Sequence, residues 1–127
     1  MGVQRLEDLR AFTLAVEFKL ATYRLVRAHP PAEGDARFRL QLFDAAASVE
    51  VNIAEGWRRH AAGEFCHFLK YSRASLEEAE RWIHDGVARG YYPADATTAA
   101  LTLADQCGRT TMALWRSLQP FTKHRKK

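Results

Sequence analysis

Apolar residues recur at steps of three and four through four successive segments of this chain, and proline or glycine stands at each break between them. That period marks amphipathic helices, because residues three and four apart share one face. In the first segment the stripe is Leu6, Leu9, Phe12, Val16, Leu20, Tyr23 and Val26, which predicts a helix over about 5–28. The run His29-Pro30-Pro31-Ala32-Glu33-Gly34-Asp35 stops it, since paired prolines remove backbone donors. Asp35 is placed to cap a second helix over about 36–58, whose stripe is Phe38, Leu42, Ala45, Val49, Ile53 and Trp57. Gly56 and Gly63 bracket the next break. A third helix over about 62–89 carries Phe65, Phe68 or Leu69, Ser72, Leu76, Ala79, Ile83 and Val87, with Gly90 as its stop. Pro93 suits the first position of a fourth helix over about 93–121, striped by Ala100, Leu103, Ala104, Cys107, Thr111, Leu114, Leu118 and Phe121. Its five threonines lower its intrinsic helicity, so tertiary packing has to hold it.

Four long helices joined by short links pack as antiparallel neighbours. The fold expected is all-α, a single up-down-up-down four-helix bundle over residues 1–122, followed by a mobile basic tail over 123–127. A length of 127 residues suits one domain, and 47% hydrophobic with 27% charged residues is a globular composition. No run of about 18 apolar residues occurs, so no membrane span is expected. The N-terminus lacks an apolar signal core, so a cytoplasmic location is expected, and Leu6 stands where a myristoylation motif needs Ser or Thr. Cys66 and Cys107 read as buried small hydrophobes rather than a disulfide.

The net charge of +4 has a local origin. Lys and Arg number 19 against 15 Asp and Glu, and four of the 19 stand in the last five residues, Lys123-His124-Arg125-Lys126-Lys127. The body is therefore formally neutral, unlike a domain with one basic face.

The most informative segment is Ser48 to Arg59. Ser48, Asn52, Glu55 and Arg59 follow at steps of four, three and four, which sets a polar row beside the apolar stripe. In an antiparallel hairpin turning near residue 61, Ser48 falls opposite Ser75 and Asn52 near Ser72, with Glu78 one turn from Ser75. One reading is a small polar network that sets helix register; the other is a ligand or partner site. His60, Glu64 and His67 have helical spacing, but no second helix supplies the Glu-x-x-His pair of a di-iron bundle, so no metal site is assigned. No nucleophile elbow, phosphate-binding glycine loop or zinc spacing is present, and no catalytic residue or cofactor is expected. Trp57 stands among Arg58, Arg59 and His60. It is suited to stacking on a nucleobase or, the preferred role, to filling a pocket on a neighbouring subunit.

The residues Gln41-Leu42, Ser48-Val49, Asn52-Ile53-Ala54-Glu55-Gly56, Arg59, Glu64-Phe65, Phe68-Leu69, Ser75-Leu76 and Glu78 resemble the bacterial four-helix-bundle family of 23S rRNA intervening-sequence proteins. Accessory proteins of diversity-generating retroelements look related. The resemblance covers the second and third helices closely, and the first and fourth in length and character. It implies a ring-like homopentamer without enzymatic activity and with suspected nucleic-acid association. The positions it carries over are Ser48, Asn52, Glu55, Gly56, Arg59, Ser75 and Glu78. Two departures stand out: Phe43 and Asp44 replace the basic residues that commonly follow the Gln-Leu pair, and Arg58 replaces a small Gly.

These observations lead to a homo-oligomer that contacts RNA or DNA through Arg58, Arg59, Lys123, Arg125, Lys126 and Lys127. Binding would be electrostatic, and deletion of 123–127 is expected to abolish it. Apolar residues outside the stripes (Leu14, Phe18, Phe43, Val51 and Tyr71) point to burial against other subunits, with Trp57, Phe43 and Tyr71 as the expected interface. The alternative is a protein-interaction scaffold with no nucleic-acid role.

Overall fold

A computed structural model describes residues 5–122. Four long helices, α1 (Arg10–Arg27), α2 (Ala36–Arg58), α3 (Ala62–Ala88) and α4 (Thr98–Thr122), pack into an all-α antiparallel bundle. Each helix lies beside two others, in the cyclic order α1, α2, α3, α4. No helix of the described residues is long and apolar enough to cross a membrane. The tail residues Lys123, Arg125, Lys126 and Lys127 lie outside the described residues.

The ends of the helices follow from local chemistry. A short 3-10 turn, Leu6–Asp8, precedes α1, and Leu9 is extended, so α1 begins at Arg10 rather than near residue 5. After α1, Pro30 and Pro31 occupy the first positions of one further helical turn, Pro30–Glu33, where a missing N–H is harmless. His29 Nδ1 donates to the Leu25 carbonyl at 2.8 Å, satisfying one of the orphan acceptors at the end of α1. Asp35 caps α2, its Oδ1 accepting from the Phe38 N–H at 3.1 Å. Gly90, at φ 78°, ends the α3 region in the left-handed conformation that glycine adopts without strain. A second 3-10 turn, Ala94–Thr97, occupies the start expected for the fourth helix, so α4 begins at Thr98.

The core runs along all four helices, with Phe18, Phe38, Leu42, Val49, Ile53, Leu69 and Ile83 fully buried. On α1 the buried face is Ala11, Leu14, Ala15, Phe18, Ala21, Thr22, Leu25 and Val26. This corrects the stripe expected from spacing: Leu14 is 2% and Phe18 0% exposed, whereas Leu20 is 44% exposed. Leu14 and Phe18 are thus core residues and give no reason for a partner. Alanines on this face let α1 approach its neighbours closely, and the large side chains of the other stripe pack at the rims. At the α1–α2 rim, Lys19 Nζ lies 2.8 Å from Glu50 Oε1, and the Tyr23 and Phe43 ring centroids are 4.5 Å apart. Both cysteines are free and buried. Burial pushes the Cys107 thiol up to about 11, so it is uncharged at neutral pH.

Candidate functional site

The residues singled out in the sequence gather mainly along the outer seam between α2 and α3. Ser48 and Ser75 hydroxyl oxygens lie 2.8 Å apart across that seam. Asn52 Nδ2 donates to the Ser48 carbonyl at 2.9 Å and to Ser48 Oγ at 3.0 Å. One turn deeper, the buried Ser72 hydroxyl donates to the Val49 carbonyl at 2.8 Å. Asn52 and Ser72 therefore make separate bonds, one at the rim and one in the interior. Ser48, Asn52, Glu55 and Ser75 are half-buried, so the row faces neither the bundle centre nor open water.

Toward the end of the seam, Gly56 is buried where α2 and α3 approach. A Cβ at this position would stand 2.8 Å from Phe65 Cδ1 and 2.9 Å from Phe68 Cβ. The glycine is what allows this contact; a side chain would separate the helices. Beyond it, His60 turns the chain at φ 56°, a left-handed conformation uncommon for a non-glycine residue. Arg59 bridges the turn. Its Nε lies 3.1 Å from Glu55 Oε2, its Nη1 3.1 Å from Glu64 Oε1, and its guanidinium 4.9 Å from the Phe68 ring centroid. These two carboxylates, Glu55 first, hold its pKa above the ordinary value. Arg58 Nη2 lies 3.5 Å from Glu55 as well. The charges of both arginines are thus compensated within the subunit, which runs against their expected role as nucleic-acid contacts.

Glu78 stands apart. It is exposed, in a shallow groove with Arg81, Trp82, Asp85 and Arg89, and does not join the serine network. Trp57 is half-buried and packs against the core. Phe43 is half-buried beneath Tyr23 and Arg27. Tyr71 is 56% exposed, with its ring edge-on to Phe68 at 5.7 Å. Among the described residues no group of three or more His, Cys, Asp or Glu is placed to hold a metal; Glu64 is engaged by Arg59. A groove of about 540 Å³ between α3 and α4 is walled by pairs such as Arg73–Glu77 and Arg109–Asp105. Within it Glu80 has a raised pKa, from burial first and then from the neighbouring Glu77 charge.

Helical spacing does not assign two members of the seam: it leaves Phe68 and Leu69 as alternatives for one core position and gives Glu64 no partner. Glu64 and Phe68 stand in the run Glu64-Phe65-x-x-Phe68-Leu69, and their common link to Arg59 depends on the turn at His60, which helical periodicity does not describe.

The fold and the seam define a small helical-bundle protein whose most specific residues lock two adjacent helices together. The family model described as 23S rRNA-intervening sequence protein matches residues 7–113, and the chain belongs to that family. Comparison with curated proteins and with solved structures gave no match.

Proposed function

We propose that this protein is a non-catalytic, homo-oligomeric bundle of the cytoplasm that associates electrostatically with RNA or another nucleic acid. The observation that carries this reading is where the charge lies. Most of the body's arginines sit beside carboxylates, including Arg58 and Arg59, while the formal excess of +4 equals the four cations of residues 123–127. A symmetric assembly multiplies such a tail into one dense cationic surface. Family resemblance suggests a ring-like homopentamer, and the exposed Val51 and Tyr71 fit burial against a neighbouring copy.

The test is fluorescence anisotropy of labelled structured RNA across salt concentrations, with the full chain and with a chain lacking residues 123–127. Tight, salt-sensitive binding that the deletion removes supports the reading, and no binding at low salt overturns it. Light scattering that gives a monomer mass at micromolar concentration overturns the oligomer.

A second reading, a protein-interaction scaffold, is favoured by the compensation of Arg58 and Arg59. Capture from lysate distinguishes it, because a protein partner stays bound through nuclease treatment.

A further inference from the structure

The arginines of the body divide into two groups. Arg5, Arg10, Arg58, Arg59, Arg73, Arg89 and Arg109 each have a carboxylate within 4 Å. Among the described residues, Arg24, Arg27, Arg37, Arg39, Arg81 and Arg116 form no such pair, and the first four stand together at one end of the bundle, in the last turn of α1 and the first turn of α2. Of the carboxylates near them, Asp35 is engaged by Tyr91 and Arg89. Glu33, Asp44 and Asp95 have no basic partner among the described residues, so the four arginines without an ion pair at this end stand against three such carboxylates.

Two of these arginines are held by groups that do not neutralise them. The Arg27 guanidinium lies 5.3 Å from the Tyr23 ring centroid and 5.9 Å from that of Phe43. Arg39, one turn before Phe43 on α2, donates to the main-chain carbonyl of Glu33. Stacking on rings and bonding to a carbonyl fix the position of a cation while leaving its charge available. Arg27 is exposed, so the outer face of its guanidinium plane is open.

We propose that this arginine-lined end, with Arg27 on the Tyr23–Phe43 ring pair and Arg39, Arg24 and Arg37 around it, docks the phosphodiester backbone of unpaired RNA. The proposal rests on the nucleic-acid reading above. Guanidinium N–H edges match phosphate oxygens in a bidentate fork, and the open guanidinium face takes a base that is not already stacked in a duplex. The docking site lies at the other end of the bundle from Thr122, the last described residue. Gln119 and Thr122 of α4 lie beside Gly63 and Cys66 at the start of α3, so the chain leaves the described structure at the opposite end of the bundle. The two ends are separated by the length of α2, roughly 35 Å at 1.5 Å per residue.

The experiment uses the full chain and a labelled unpaired RNA of about 12 nucleotides, with anisotropy read over a salt series. Arg27→Gln/Arg39→Gln is expected to bind roughly tenfold more weakly, with a salt slope lower by about 1.4, two contacts at about 0.7 each. Arg109→Gln is expected to stay within about twofold of the starting protein, because its charge is already compensated by Asp105. Arg24→Gln/Arg37→Gln removes two exposed side chains that make no hydrogen bond among the described residues. It tests the same end without disturbing the ring pair and is expected to lower the slope equally. If the full chain binds RNA and both double variants bind as it does, this docking site is wrong and the proposed function stands. If the full chain does not bind at all, both fail. Duplex DNA competing as well as the RNA overturns the assignment to an unpaired strand.

Discussion

The hydroxyl oxygens of Ser48 and Ser75 lie 2.8 Å apart, the hydrogen bond that ties the middle of α2 to the middle of α3. Because Asn52 donates to the same Ser48 oxygen, the three side chains act as one unit at a half-buried seam. Ser75→Ala should cost about 0.5–1.5 kcal/mol, and Ser48→Ala at least as much because it also removes one of the two hydrogen bonds that Asn52 Nδ2 donates. In a double-mutant cycle read by urea unfolding, the pair should couple by about 0.5–1 kcal/mol. Strictly additive effects would show that the serines do not bond in solution.

Gly56 and Gly63 should respond to alanine with opposite signs. At Gly56 the new methyl meets Phe68 Cβ at 2.9 Å and the Phe65 carbonyl oxygen at 3.3 Å, atoms close to the backbone that cannot move cheaply. Overpacking of about 1–3 kcal/mol outweighs the gain in helix propensity of about 1 kcal/mol, so Gly56→Ala should destabilise. At Gly63 nothing lies within 4 Å and the residue is helical, so Gly63→Ala should stabilise by up to about 1 kcal/mol. Thermal melts of the two variants check the pair, and a stabilised Gly56→Ala would mean that α2 and α3 are not this close.

The Asp35 carboxylate holds two segments together at the basic end, accepting from the Phe38 N–H and from the Tyr91 hydroxyl. The Tyr91 bond first, and the Phe38 N–H second, lower its pKa. A carboxyl with a depressed folded pKa stabilises above its unfolded value and loses that contribution as pH falls through the folded one. Asp35→Ala should therefore lower the melting temperature at pH 7, with the gap to the unaltered protein closing below about pH 4. A gap independent of pH would assign the effect to packing.

Glu80 should behave in the reverse sense. Its pKa is raised by burial and by Glu77, with a smaller contribution from Asp105, opposed by His84 and Arg73. Such a group destabilises the folded state when ionised, above its folded pKa, and the penalty vanishes below the unfolded value of about 4.3. Glu80→Gln should raise the melting temperature at pH 7 and leave it unchanged near pH 3.5. Equal shifts at both pH values would exclude a charge effect.

Helix identity and helix breaks are local properties, and the sequence determined them. Hydrophobic period, the proline pair after His29, the Asp35 cap and the Gly90 stop each depend on neighbours within one or two turns. For the same reason α2 runs over 36–58, as the spacing predicts. The opposition of Ser48 and Ser75 was also legible, because a tight link between two antiparallel helices sets their register. Tertiary structure alone decided which of the two adjacent stripes on α1 is core. Large side chains mark one stripe, but alanines at 11, 15 and 21 permit the close approach that buries Leu14 and Phe18 on the other. It also decided which arginines keep an available charge. Arg59 is compensated by Glu64 across a turn, and Arg27 is held on rings from two helices, relationships that exist only once separate segments pack together.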